Sequence, residues 1–178
     1  GKSKKRIEIR VRPGVQSVNY AKDTVLCDCF KLENAVGVPG GLTKLVNITI
    51  INEKATATAD KDFKFLFSKN EQNLRTAEAT PALRYGGVNK GDVDTAEIQA
   101  MDIVGMCEVD MSDNEMDLGD AGMITTGGFG ATDRMHEIVM QSNEDSQDLW
   151  CNITCGLDTG TVLAAGEWEL VFIFEYLD

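Results

Sequence analysis

Eleven residues near the end of the chain, Trp168-Glu169-Leu170-Val171-Phe172-Ile173-Phe174-Glu175-Tyr176-Leu177-Asp178, constrain the fold more than any others. Aromatic and β-branched side chains dominate them, with polar residues at alternate positions near the ends and an unbroken apolar run between. Such a segment is a strand with one face in the core and its centre covered on both faces. Trp168, Leu170, Phe172, Phe174 and Tyr176 share one side, which predicts an aromatic face entering the core. A strand of this kind cannot stand alone, so it predicts that this end of the chain is tied into a sheet.

The same rhythm recurs along the sequence. Lys5–Arg12, Thr24–Leu32, Leu42–Asn52, Phe63–Phe67, Ile103–Val109, Glu137–Gln141, Leu149–Cys155 and Trp168–Leu177 read as strands. Pro13-Gly14, Gly37-Val38-Pro39-Gly40-Gly41 and Gly156–Gly160 read as turns between them. In Leu42–Asn52, strict alternation would set Leu45, Asn47, Thr49 and Ile51 against Lys44, Val46, Ile48 and Ile50. Residues 69–100 break the pattern: Asn70–Glu78 and Asp92–Met101 have room for a helical turn or two around Pro81 and Gly86-Gly87, inside a long irregular excursion. Eight or nine strands without a sustained helical period predict an all-β fold, an antiparallel β-sandwich or jelly roll. A length of 178 residues suits one domain.

Charge divides the chain unevenly. The net charge is −12, yet Lys2, Lys4, Lys5, Arg6, Arg10 and Arg12 stand against Glu8 alone in residues 1–12. That segment carries +5 and the rest −17. Residues 1–12 therefore read as a basic N-terminal arm or strand, and 13–178 as a single β-sandwich domain. Phosphate binding needs clustered Lys and Arg, which the acidic body lacks, so no direct nucleic-acid contact is expected of it. The arm has the charge to meet either a phosphate backbone or an acidic protein neighbour. Ile7, Ile9 and Val11 alternate with charged residues and favour the second, with the arm acting as a strand at a subunit contact. No apolar run approaches the ~20 residues a membrane helix requires. The basic start is followed by Ile7-Glu8-Ile9-Arg10 and lacks the apolar core of a secretory signal, and Lys5 stands where a myristoylation signal wants Ser or Thr.

Residue types that carry chemistry are present without the spacing that chemistry needs. Cys27, Cys29, Cys107, Cys151 and Cys155 are odd in number and form no CxxC pair, so they read as free thiols packed as small hydrophobes rather than a zinc site or disulfide frame. His136 has no nucleophile motif beside it and reads as a strand-edge residue. The acidic stretch Asp110–Asp120 and its smaller counterpart Glu144–Asp148 lack the EF-hand pattern and read as solvated loops. Gly127-Gly128-Phe129-Gly130 lacks the Lys and Ser or Thr of a phosphate loop and reads as a turn. Asn47 and Asn152 sit in glycan-acceptor triplets but inside strands, where no glycan is expected. Trp150 and Trp168 read as core. No catalytic residue, metal or cofactor is assigned.

Three stretches carry a family resemblance. Lys44–Ile51 leads through small residues to Asp62-Phe63-Lys64-Phe65-Leu66-Phe67-Ser68; Val104–Val109 precedes the acidic stretch; and Leu149–Thr154 joins through a Gly- and Thr-containing turn to the final strand. In this order the chain resembles small all-β structural proteins of tailed bacteriophage particles, loosely over residues 42–178. The resemblance implies a non-enzymatic virion component made in the host cytoplasm, most plainly a capsid decoration or cement protein that stabilises the shell through subunit contacts. Its partners would be capsid subunits and other copies of itself. Lys2, Lys4, Lys5, Arg6, Ile7, Ile9, Arg10, Val11 and Arg12 are then the candidate interface. A receptor- or carbohydrate-binding β-sandwich of a phage tail or fibre is the alternative.

Overall fold

The computed structural model describes residues 5–13, 25–52, 62–74, 95–110, 115–117, 123–127, 137–155 and 168–178. Ten strands and one short helix lie among them: β1 (Arg6–Val11), β2 (Phe30–Leu32), β3 (Leu42–Asn52), β4 (Asp62–Ser68), α1 (Thr95–Met101), β5 (Ile103–Asp110), β6 (Glu115–Asp117), β7 (Met123–Gly127), β8 (Ile138–Gln141), β9 (Leu149–Cys155) and β10 (Trp168–Tyr176). They form two antiparallel sheets, an all-β sandwich. One sheet runs β1-β10-β3-β7-β6, with β8 also paired to β3; the other runs β2-β9-β4-β5. The pairing is nested. β1 lies beside β10, β2 beside β9, β3 beside β8, and β4 beside β5, so the chain pairs its outermost strands with each other and works inward.

Alternation decides which side chains meet between the sheets. From β10 come Trp168, Leu170, Phe172 and Phe174, and from β4 come Phe63, Phe65 and Phe67, all buried. Phe172 is the hub. Its ring stands edge-on to Phe65 at 6.1 Å and Phe67 at 6.2 Å, stacks with Phe174 at 6.4 Å and tilts against Phe30 at 6.1 Å. Phe63 closes the far end of this seam edge-on to Trp168 at 5.4 Å. Aromatic pairs in these geometries add about 0.5–1.5 kcal/mol each beyond the area they bury.

Two departures from strict alternation shape the sandwich. In β3, Leu45, Ile48 and Ile50 all point inward, because the register with β10 shifts between Ile173 and Phe174, and Val46 is the extra residue. A bulge of this kind bends its strand. Here it divides β3 into a half that pairs with β8 (Leu42–Leu45) and a half that pairs with β7 (Ile48–Asn52). The second is in β5, where the register with β4 shifts between Phe67 and Ser68 and leaves Val104 as the extra residue, beside Gly105. A Cβ there would lie 2.8 Å from Met140 Sδ and 3.0 Å from Ile138 Cγ2, so the missing side chain lets β8 of one sheet close onto β5 of the other.

Two segments that the sequence does not mark as strands, one of them inside a stretch read as a solvated loop, prove to be strands. Glu115–Asp117 within the acidic stretch is β6, and Met123–Gly127 before the Gly cluster is β7; together they extend the larger sheet beyond β3. Their sequences are polar or short, and an edge strand needs little apolar character of its own when a long neighbour supplies the ladder. Within the expected excursion, Thr95–Met101 is helical, as its composition allowed, and Met101 is buried. Residues 75–94 lie outside the described part.

Phe172→Ala should lower stability by about 3–5 kcal/mol, read as a drop in urea midpoint, since it removes four ring contacts at once from the middle of the core. Unchanged melting would show that the seam between β4 and β10 is not what joins the sheets.

Candidate functional site

The described candidate interface residues, Lys5 to Arg12, lie along one edge of the larger sheet, with the arginines on its outer face. β1 is the edge strand, paired with β10 from Arg6↔Glu175 to Val11↔Leu170. Ile7, Ile9 and Val11 are half-buried and pack against the protein's own core. Arg6–Val11 thus belongs to the sheet itself, where the sequence divides the chain into an arm at 1–12 and a body. Lys2 and Lys4 lie outside the described residues.

The cations of this segment meet carboxylates on β10. Arg6 Nε donates to Glu175 Oε2 at 2.9 Å, and Arg10 Nη1 donates to Glu169 Oε1 at 2.7 Å. Arg10 Nε also donates to Glu8, and Arg12 Nη2 lies 3.4 Å from Glu169 Oε2. Lys5 Nζ sits 5.8 Å above the Tyr176 ring. The line of charge continues past β10: Glu175 Oε1 is 3.5 Å from Lys44 Nζ on β3, and Lys44 is 3.1 Å from Glu137, just before β8. Cross-strand register therefore sets Arg6, Glu175 and Lys44 in line across three strands, and Glu137, just before β8, ends the row with a fourth charge of alternating sign. The hydrogen bond to Glu137 raises the Lys44 pKa, and the bond to Glu8 does the same for Arg10.

The row is not uniform in strength. The Glu175 side chain is 9% exposed while Arg6 is 60% exposed and Glu137 46%. An exposed pair is worth about 0–1 kcal/mol. A buried carboxylate held by charged donors is worth more, because removing its partners leaves it desolvated. Glu175 is thus the anchor of the face. Arg6 and Lys44 are its two reasons for being there.

The outer face of the smaller sheet differs. Lys64, Leu66, Met106, Glu108 and Thr154 line an open groove of about 300 Å³, and Met106 is 67% exposed. Trp150 is not core: it is half-buried on this face, with Lys31 Nζ 5.5 Å over its ring, because Leu149, Cys151 and Ile153 take the inward positions of β9. Trp168 is core, as read. Asn152 is fully buried and donates from Nδ2 to the Gln72 carbonyl at 2.9 Å, leaving Oδ1 without a partner and no room for a glycan.

Among the described residues, Cys27, Cys107 and Cys151 are buried and Cys29 partly so, all as free thiols, and no three His, Cys, Asp or Glu side chains gather as a metal site. Burial pushes the Cys151 thiol well above its ordinary range and the Cys29 thiol upward. His136, Gly128–Gly130 and most of the acidic stretch lie outside the described residues. No helix among the described residues is long and apolar enough to cross a membrane.

Comparison with protein families finds no family model that matches the chain, and comparison with curated proteins finds none that matches.

Two measurements check this face and this core. Glu175→Ala should destabilise by about 1–3 kcal/mol, the range for hydrogen bonds to charged groups, while Glu137→Ala should cost under ~0.5 kcal/mol. Equal losses would mean that the row is a surface ornament. For Cys151, the folded chain holds a thiol proton that the unfolded chain releases at about pH 8.5. Its stabilising effect is full below that pH and is lost as pH rises above it. Urea midpoints at about pH 7.5 and 10 should fall less for Cys151→Ala than for the parent chain; parallel slopes would place the thiol in contact with solvent.

Proposed function

We propose that the chain is a non-enzymatic structural component of a bacteriophage virion, a capsid decoration or cement protein that works by subunit contacts. One observation carries this reading: a nested strand pairing that ends at β1, a charged edge with no strand beyond it among the described residues, in the segment bearing the +5 cluster. The nesting supports a jelly-roll winding, an architecture that recurs in viral capsid domains. The described outer face of the larger sheet is a lattice of ion pairs, which suits a mechanical role, and the resemblance to phage structural proteins points the same way. Capsid subunits and further copies of the chain are the partners, met through Lys2, Lys4 and β1.

The second reading, a carbohydrate- or receptor-binding sandwich of a tail or fibre, is supported by Trp150. An aromatic ring presented on the outer face of a sheet that also carries a groove is a surface on which a sugar can stack, and jelly rolls also serve lectins.

Particles purified from the native source should contain the chain in fixed stoichiometry by mass spectrometry, with matching density on the shell in cryo-electron micrographs. Density confined to the tail would favour the second reading. Absence from purified particles would refute both.

A further inference from the structure

We propose that two copies of the chain pair through the open edge of β1, antiparallel about a two-fold axis at Ile9, so that their larger sheets join into one. The proposal rests on the reading of the N-terminal segment as a subunit contact, and not on residence in a particle.

Backbone direction comes first. The Lys5 carbonyl accepts from the Tyr176 N–H at 2.8 Å. Successive residues of a strand point their backbone groups to opposite sides. Lys5, Ile7, Ile9 and Val11 therefore face β10, and Arg6, Glu8 and Arg10 present N–H and C=O to the open edge. Among the described residues no strand lies beyond β1 on that side. Six residues without proline or bulge form a usable template.

The charges select the occupant. Edge charges commonly block pairing, but here they alternate, Arg6, Glu8, Arg10, and an antiparallel second copy offers the complementary order. Pairing must keep Ile7, Ile9 and Val11 on the core side, which leaves few registers. With Glu8 on the axis, Glu8 meets Glu8 and Arg6 meets Arg10, all like charges. With Arg10 on the axis, Arg10 meets Arg10, and although Glu8 faces Arg12, only Ile9–Val11 of each β1 overlap, against Ile7–Val11 with Ile9 on the axis. With Ile7 on the axis, Glu8 meets Arg6, but Arg10 falls opposite Lys4 and Val11 lies beyond the pairing with β1. With Ile9 on the axis, Glu8 of each copy faces Arg10 of the other, Ile7 faces Val11, and Ile9 faces Ile9. The one like pair is Arg6 with Arg12 at each end, and these are already held by Glu175 and Glu169 respectively. Glu8 and Arg10 are exposed and available at 45% and 57%. Both now bond within one chain, and pairing adds a second carboxylate and guanidinium beside each.

This two-fold contact is self-complementary, as an isologous interface requires. It also extends the cover over Ile7 and Ile9, which a single copy leaves half-buried.

Sedimentation equilibrium on the purified full chain tests it. The parent chain should dimerise. Glu8→Arg sets the introduced guanidinium against Arg10 twice across the axis, and Arg10→Glu sets two pairs of carboxylates together. Each should raise the dimer dissociation constant roughly ten- to thirtyfold. An equimolar mixture of the two variants faces guanidiniums with carboxylates at both positions and should recover the parent association, as should the double variant Glu8→Arg with Arg10→Glu. Melting curves confirm that each variant folds, which matters for Arg10→Glu because it lies against Glu169. A parent chain that stays monomeric at about 100 μM, a dimer indifferent to Glu8→Arg, or folded variants that fail to complement each other overturns the pairing. Particle incorporation is read separately, so either result stands without the other.

Discussion

Contact between the rings of β10 and β4 is the interaction on which the rest depends. The two strands belong to different sheets and share no backbone hydrogen bond, so only side chains hold them together. Phe172 alone touches Phe65 and Phe67 from the opposite layer and Phe174 and Phe30 besides. Everything else follows from having these two layers fixed: the bulge at Val46 keeps Leu45 and Ile48 both inward under the seam, and Gly105 lets the layers close at the β5–β8 corner.

The charged outer face is a second-order feature set by the first. Once β10 turns Phe172 and Phe174 inward, Glu169 and Glu175 must face outward, and β1 brings Arg6, Arg10 and Arg12 to meet them. Arg6, Arg10 and Arg12 are thus paired with carboxylates within their own molecule. Long-range attraction to an acidic partner is correspondingly weaker than a +5 count implies, because each of these guanidiniums already lies beside a carboxylate. What β1 retains is a directional edge, with no strand beyond it among the described residues.

Much of the fold was legible because alternation is a strong signal wherever one face is buried. Phe63-Lys64-Phe65-Leu66-Phe67 and Leu170–Phe174 could hardly be anything but strands. The turn at Gly37–Gly41 was legible for the complementary reason, its Gly and Pro content. Glu115–Asp117 and Met123–Gly127 were not, since their strand character comes from the ladder that β3 extends to β7 and not from their own side chains. The face of Trp150 was missed because an aromatic in an apolar run reads as buried, whereas the inward positions had gone to Cys151 and Ile153. At the candidate interface, the alternation of Ile7, Ile9 and Val11 correctly marked a strand. The local sequence could not show that its partner is β10, because Glu175 and Arg6 are distant in sequence and adjacent only through the fold.

That distance has a consequence for how the molecule is made. β10 occupies an inner place in its sheet, between β1 and β3, yet it follows every other described strand in sequence and so emerges after them during synthesis. Until residue 176 clears the ribosome, β1 lacks its described ladder partner and β3 lacks one of two flanks. Phe63, Phe65 and Phe67 likewise wait for the rings that will cover them. Pairing strands so far apart in sequence makes for slow folding. During that interval the nascent chain displays unpaired edges and bare phenylalanines, the species most exposed to aggregation and to capture by chaperones. The nested winding that makes the finished sandwich coherent therefore defers its assembly until β10 has been made.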